Sequence, residues 1–289
     1  MEYNFGGLDL SQLSAGEEAF AVLPVPYDLT SSYQAGSRRG PSAILDASGY
    51  VELYDDELRR ETWRVGIATR DYVEVDVRGP RHMIERVRHE VASILSEGKI
   101  PVVLGGEHSI TLGAVQAARE SYPSLTVLQL DAHADLRESY QESLYSHACV
   151  ARRITEIPCP LVQVGIRSLT GDEARFIDEN SETILSLSAD DTLVDGWIDR
   201  VCERLSDDVY VSIDLDAFDP SIMPATGTPE PGGLTWRDAT RLLRAVSNQC
   251  RVRGFDVVEL CPIPGQPASD FMAAKLVYRF MGYIAEVHK

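Results

Sequence analysis

The sequence predicts an α/β fold built on a parallel sheet. Short apolar runs of strand length recur along the chain, amphipathic stretches of helical length lie between them, and residues with metal-binding chemistry fall directly after the apolar runs. That alternation is the signature of a parallel sheet with crossover helices, and open sheets of this kind carry ligands beyond the carboxyl ends of their strands.

In chain order, the strand candidates are Ala19 to Leu23, Val65 to Ala68, Ile100 to Leu104, Leu125 to Leu130, Leu161 to Val164, Thr183 to Leu187, Val209 to Ile213 and Val252 to Val258. Each is a short apolar run, as expected of strands covered on both faces. Helical patterns fall at His82 to Leu95, Ile110 to Arg119, His147 to Ile154, Asp172 to Asp178, Leu193 to Leu205, Trp236 to Val246 and Phe271 to Ile284, with Thr235 a good helix start. No low-complexity linker or internal repeat divides the chain, and the candidate ligands spread from residue 108 to residue 216, so a single domain over residues 1–289 is expected. The Gly- and Pro-rich stretch from Ala217 to Gly233 is a long irregular loop after a ligand-bearing strand, and loops of that length are often functional.

Composition narrows the function classes. Hydrophobic residues at 44% are ample for a core. No stretch approaches the roughly 20 apolar residues of a membrane span, and the Met1-Glu2-Tyr3-Asn4-Phe5 start lacks a signal-peptide layout, so a cytoplasmic protein is expected. Five scattered cysteines without a Cys-x-x-Cys pair read as reduced thiols. A formal charge of -18 argues against nucleic acid as a partner and suits a small cationic substrate or simple solubility.

The chemistry concentrates in Asp131-Ala132-His133-Ala134-Asp135, in Asp214-Leu215-Asp216 and in His108 of Gly105-Gly106-Glu107-His108-Ser109. Side chains at i, i+2 and i+4 of an extended segment share a face, so Asp131, His133 and Asp135 are expected to converge, as are Asp214 and Asp216. Six ligands serve two divalent cations only if carboxylates bridge, which sets the ions about 3.5 to 4 Å apart. Mixed imidazole and carboxylate donors suit Mn²⁺ and leave Zn²⁺, Co²⁺ and Fe²⁺ open. Glu107 points to the opposite face if its segment is extended and stays outside the set.

With these residues in view, the chain resembles the ureohydrolase family of arginases and agmatinases, most closely the agmatinase branch. The resemblance runs through Gly36-Ser37-Arg38-Arg39-Gly40-Pro41-Ser42-Ala43-Ile44, Gly105 to Ser109, Asp131 to Asp135, Ser146-His147-Ala148, Ser212 to Asp216, Thr226 to Gly233 and Asp256-Val257-Val258-Glu259. It implies a three-layer α/β/α fold with an eight-stranded parallel sheet, two Mn²⁺ ions and a homotrimer or homohexamer. It assigns His108, Asp131, Asp135 and Asp214 to one ion and Asp131, His133, Asp214 and Asp216 to the other.

The reaction so implied is attack on a guanidinium carbon by a hydroxide bridging the ions. Asp135 would orient that hydroxide and take its proton, Glu259 would pair with the guanidinium nitrogens, and Thr228 would contact them. His147, with an ordinary pKa near 6.5, would pass a proton to the leaving amine. Glu138, Glu142, Asp219 and Glu230, against Arg137, suggest an acidic rim that favours agmatine, cleaved to putrescine and urea. N1-aminopropylagmatine, guanidinobutyrate and arginine are the alternatives. A deacetylase of the same fold would use a single-metal ligand set, and a non-catalytic metal-binding regulatory subunit would be expected to lack part of the set. Cys149 and Cys261 are expected to be structural, and His82, His89 and His288 to face solvent.

Overall fold

The computed structural model describes residues 4–9 and 18–287; His288 lies outside them. Among the described residues, ten strands and eight α-helices form in the order β1 (Phe20–Val25), α1 (Gly40–Ser48), β2 (Tyr54–Asp55), β3 (Arg60–Glu61), β4 (Ile67–Thr69), α2 (Pro80–Ser96), β5 (Ile100–Gly105) and α3 (Thr111–Ser121), then β6 (Thr126–Leu130), α4 (Val150–Glu156), β7 (Leu161–Ile166), α5 (Gly171–Glu179), β8 (Ile184–Ser188), α6 (Trp197–Cys202), β9 (Asp208–Asp214), α7 (Trp236–Gln249), β10 (Arg251–Val258) and α8 (Ala268–Val287). Eight strands make one sheet in the order β4-β1-β5-β10-β9-β6-β7-β8. Every pairing in it is parallel.

Side chains alternate across this sheet, so each central strand supplies two cores. From β1, Phe20 and Val22 belong to the core that α1, α6, α7 and α8 cover, while Ala21, Leu23 and Val25 belong to the core under α2, α3 and α4 on the opposite face. The result is the three-layer α/β/α arrangement expected. All eight sequence-derived strands have a counterpart in the sheet, with ends shifted by one or two residues.

Three elements differ from expectation for physical reasons. Helix α1, which the periodicity did not suggest, runs through the small and apolar sequence GPSAILDAS, started by Pro41 in its first turn. The β2–β3 hairpin has two residues per strand, too few to show alternation; it is tied to α8 where Arg279 meets the buried Asp55 at 2.9 Å and also Asp56 and Glu57. The helix expected from Leu193 to Leu205 is cut to α6 by Gly196 at φ 85, with a 3-10 turn over Asp190–Leu193 before it. The helix start at Thr235 holds, since its hydroxyl and Asp238 form a reciprocal capping box.

The strand ends that carry the site are packed backbone against backbone. Gly106 follows β5, and a Cβ there would sit 2.0 Å from the Tyr27 carbonyl oxygen. Its own N–H donates to Val25 and its carbonyl accepts from Glu259. Because the obstacle is backbone, no rotamer relieves it. Gly106→Ala is therefore expected to cost about 2 kcal/mol or more of stability, in the range of overpacked cores, read as a lowered midpoint in urea; an unchanged midpoint would mean that these strand ends yield easily.

Candidate active site

Three loops bring the candidate ligands together, although not by the extended geometry expected. Strand β6 ends at Leu130, and Asp135 takes a left-handed φ of 51 that turns its side chain back toward Asp131. Such a conformation is uncommon outside glycine. Strand β9 ends at Asp214, whose Oδ1 accepts the Asp216 N–H at 2.9 Å as a 3-10 turn begins. His108 opens a 3-10 turn that leads into α3. Turn geometry, not strand alternation, makes the i, i+2 spacings converge.

The six side chains form two groups. His108 Nδ1 stands 3.1 Å from Asp131 Oδ2 and 3.2 Å from both Asp135 Oδ2 and Asp214 Oδ2. His133 Nδ1 stands 2.9 Å from Asp216 Oδ2 and 3.7 Å from Asp131 Oδ1. Asp131 thus offers one oxygen to each group, the bridging arrangement expected of it. Asp214 joins the first group through Oδ2, its other oxygen being engaged by the Asp216 N–H.

A cation fits the first group on its own evidence. His108 Nδ1 is buried and has no hydrogen-bond partner despite the three oxygens around it. Its Nε2 lies 2.9 Å from Ser212 Oγ, and that hydroxyl donates to the buried Asp256 at 2.7 Å. With its single proton committed to Asp256, Ser212 accepts from an Nε2–H, which leaves Nδ1 as a lone pair aimed at the carboxylates. Ligating histidines are oriented in this manner. Donors spaced 3.1–3.2 Å apart also match neighbours around a shared ion with bonds of about 2.1 Å.

Electrostatics favour the same conclusion. Burial, then Asp216 and Asp131, pushes Asp214 well above the usual carboxylate range, and burial with Asp131 alongside pushes Asp135 up to about 6. Acids this close tolerate one another only beside added positive charge, and a bound cation reverses both shifts. Backbone donors supply part of that charge: His133 N–H to Asp131, Ala132 N–H to Asp216 and His108 N–H to Glu259, with the Gln129 amide on Asp131.

Arg167, which sequence reasoning did not single out, holds the surrounding loops. Its half-buried guanidinium donates to the carbonyls of Asp216, Glu230, Pro231 and Gly165 at 2.7–3.1 Å. That ties the second ligand group to the Ala217-to-Gly233 loop. The loop is accordingly a packed wall rather than an excursion, with Phe218, Met223, Ala225 and Thr226 buried.

A cleft of about 280 Å³ opens over the ligands, lined by His108, His133, Asp135, Asp214 and Asp216 and also by His147, Thr228 and Glu259. Every sequence-predicted site residue except Asp131, which lies buried beneath the others, faces this one space. Glu259 has φ 63, and burial followed by the nearby Glu107 raises its carboxyl to about 8; a guanidinium beside it would bring it back down. His147 is edge-on to Tyr140 at 5.9 Å. Burial, more than the neighbouring His108 and His133, lowers its ring to about 4, so it is neutral at pH 7, not poised between two states as its ordinary pKa suggested.

The acidic rim inferred from sequence forms only in part at this cleft. Glu138 pairs with Arg152 and Arg153, Asp219 accepts the N–H groups of Ser221, Gly232 and Gly233, and Glu142 does not line the walls, while Glu230 stands at the edge with Oε1 3.9 Å from His133 Nε2. The walls instead carry Ser31 to Gln34, Tyr140, Thr170, Arg137 and Glu173, with Arg137 Nε 4.0 Å from Glu173 Oε2. Arg137 and Tyr140 belong to the segment directly after Asp135, whereas Ser31 to Gln34, Thr170 and Glu173 were missed because they reach the cleft from loops far from the motifs. Ser212 had a signal, standing two residues before Asp214 on one face of β9. All five cysteines are free thiols, Cys149 buried; His82 and His89 face solvent.

Ser212→Ala is expected to weaken Mn²⁺ binding at the His108 group by about ten- to a hundredfold, the usual weight of a ligand-orienting partner. Titration calorimetry would read it, and unchanged affinity would show that the ring needs no such support.

The comparisons with known proteins agree with this geometry. The model of the arginase family matches residues 18–282. The chain is 42% identical over 267 residues to the N(1)-aminopropylagmatine ureohydrolase of Thermus thermophilus, covering 92% of this chain and 90% of the relative. It is 37% identical over 282 residues to that of Synechocystis sp., covering 94% and 91%. Among solved structures, the agmatine ureohydrolase of Thermoplasma volcanium superposes with a TM-score of 0.88 at 33% identity, covering 100% of this chain and 96% of that one. By sequence and by fold, the chain belongs to the arginase family of ureohydrolases.

Proposed function

We propose that the chain acts as a single ureohydrolase domain that binds two Mn²⁺ ions and cleaves the guanidinium group of agmatine to putrescine and urea. The observation that carries this reading is the pair of donor groups sharing Asp131 at the floor of a cleft that also holds Glu259 and His147. His108, Asp131, Asp135 and Asp214 would hold one ion and Asp131, His133, Asp214 and Asp216 the other. Bound there, two divalent ions lower the pKa of water toward neutrality and offset negative charge developing on the substrate.

The protein's own groups do the rest. Glu259 pairs with guanidinium N–H groups and presents the carbon toward the ligand cluster, a charge-assisted contact that fixes orientation; Thr228, which also lines the cleft, adds a hydroxyl. Asp135 orients the attacking water and accepts its proton. The bond from the guanidinium carbon to the alkyl-bearing nitrogen then breaks, and that nitrogen must leave as an amine because expulsion of an amide-like anion is prohibitive. His147, neutral at pH 7, takes a proton released on attack and returns it to that nitrogen. His147→Asn is expected to lower kcat by about a hundredfold or more with both ions still bound by metal analysis. Unchanged kcat would assign the imidazole a packing role.

A second reading concerns the tail of the substrate. Arg137 and Glu173 face each other at 4.0 Å on the cleft wall, so net charge there does not distinguish an amine from a carboxylate. The relatives at 42% and 37% identity are named for N1-aminopropylagmatine, which favours that longer guanidinoamine. Homotrimeric or homohexameric assembly and a cytoplasmic location belong to the same proposal; no described helix is long and apolar enough to cross a membrane.

Urea release by the Mn²⁺-loaded protein from agmatine, N1-aminopropylagmatine, arginine and guanidinobutyrate tests the reading. By likeness to the relatives named for guanidinoamines, both guanidinoamines should exceed the two carboxylates in kcat/KM by about tenfold or more. Preference for the aminopropyl compound selects the second reading, comparable arginine hydrolysis overturns both, and bound metal with no urea from any substrate would point to a non-catalytic subunit.

A further inference from the structure

Glu107 precedes a candidate ligand yet turns away from the cluster, buried, and its contacts lead to His147 instead. Its Oε2 accepts the Thr30 N–H at 2.5 Å, and its Oε1 accepts the hydroxyls of Thr30 at 2.7 Å and Ser109 at 2.5 Å. Thr30 Oγ1 in turn lies 3.0 Å from the His147 backbone nitrogen and 3.2 Å from His147 Nδ1. Four polar contacts thus join the turn after β1, the loop after β5 and the start of the segment leading into α4.

Proton accounting in this chain has a consequence for the imidazole. A threonine hydroxyl has one proton and two lone pairs. Its proton goes to Glu107, so both lone pairs accept: one from the His147 backbone N–H, the other from the ring. We propose that Thr30, held by Glu107, is a positioning residue that fixes His147 as the Nδ1–H tautomer and thereby leaves Nε2 as the nitrogen able to take up a proton in the cleft. Ser146 Oγ, 3.3 Å from Nδ1, is the other group near that nitrogen and acts as a second acceptor while Thr30 is in place. Removing the Thr30 hydroxyl frees Nδ1 to accept from Ser146, which favours the opposite tautomer. A histidine in the wrong tautomer loses most of its value as a base even when its position is unchanged.

The functional half of this inference rests on His147 handling the proton; the tautomer itself does not. The test is nitrogen NMR of the full-length protein labelled with ¹⁵N-histidine and loaded with diamagnetic Zn²⁺, at a pH above 7, with His147→Asn to assign the signals. The wild type should show His147 with a protonated Nδ1 and an unprotonated Nε2. Thr30→Val should move the ring toward the Nε2–H form and lower kcat of the Mn²⁺ enzyme by about tenfold or more with KM little changed. Thr30→Ser should restore both. An Nε2–H ring in the wild type overturns the proposal, as does a Thr30→Val protein whose ring and kcat match the wild type. If Thr30→Val fails to fold, the wild-type spectrum still decides. If no guanidine is hydrolysed at all, the proposed function fails while the tautomer can still be read.

Discussion

Four carboxylates and two imidazoles packed at one edge of a sheet, nearly all out of water, are the constraint on which the rest of this structure depends. Like charges at these separations repel strongly in a medium of low polarity. The sheet order answers the problem of delivery: β5, β10, β9 and β6 are consecutive neighbours, so the loops bearing His108, Glu259, Asp214 with Asp216, and Asp131 to Asp135 leave the sheet side by side. The strands are scattered through the sequence and adjacent only in space. Backbone N–H groups at those loop starts, Gln129 and the guanidinium of Arg167 supply partial or full positive charge around the cluster. What they leave unbalanced is the charge that two cations would bring.

The two histidines that matter most are held by the same device turned in opposite senses. On each, a hydroxyl whose proton is committed to a buried carboxylate accepts from one ring nitrogen and leaves the other unprotonated. For His108 the pair is Ser212 with Asp256, and the free nitrogen is Nδ1, facing the ligand cluster. For His147 the pair is Thr30 with Glu107, bound to Nδ1. Buried polar groups are costly unless every donor and acceptor is matched. Here the matching itself selects which nitrogen is available.

Part of the backbone strain lies at the same edge. Of the non-glycine residues with left-handed φ angles, Asp135, five residues past β6, and Glu259, directly after β10, face the cleft. Backbone conformations of this kind persist only where surrounding contacts over-determine them. For Glu259 those contacts include its N–H on the Gly106 carbonyl and its carboxylate on the His108 N–H. Toward the cleft mouth the constraint relaxes, and exposed side chains such as Tyr33 and Leu169 stand among the lining residues.

Sequence alone determined the class of fold, the eight sheet strands and the six candidate ligands, because an apolar run buried on both faces and an acid at its end are local signals. Thr235 as a helix start was legible for the same reason. Tertiary structure decided what depends on partners far along the chain. It put Asp131 between the two ligand groups, brought Ser212, Arg167 and Thr30 to the site, and lowered the His147 ring by burying it. It also turned Glu138 and Asp219 away from the cleft toward arginines and backbone donors, where sequence counting had placed them at the rim. A residue's identity is written locally, but its charge state, its tautomer and the direction it faces are set by neighbours that only folding supplies.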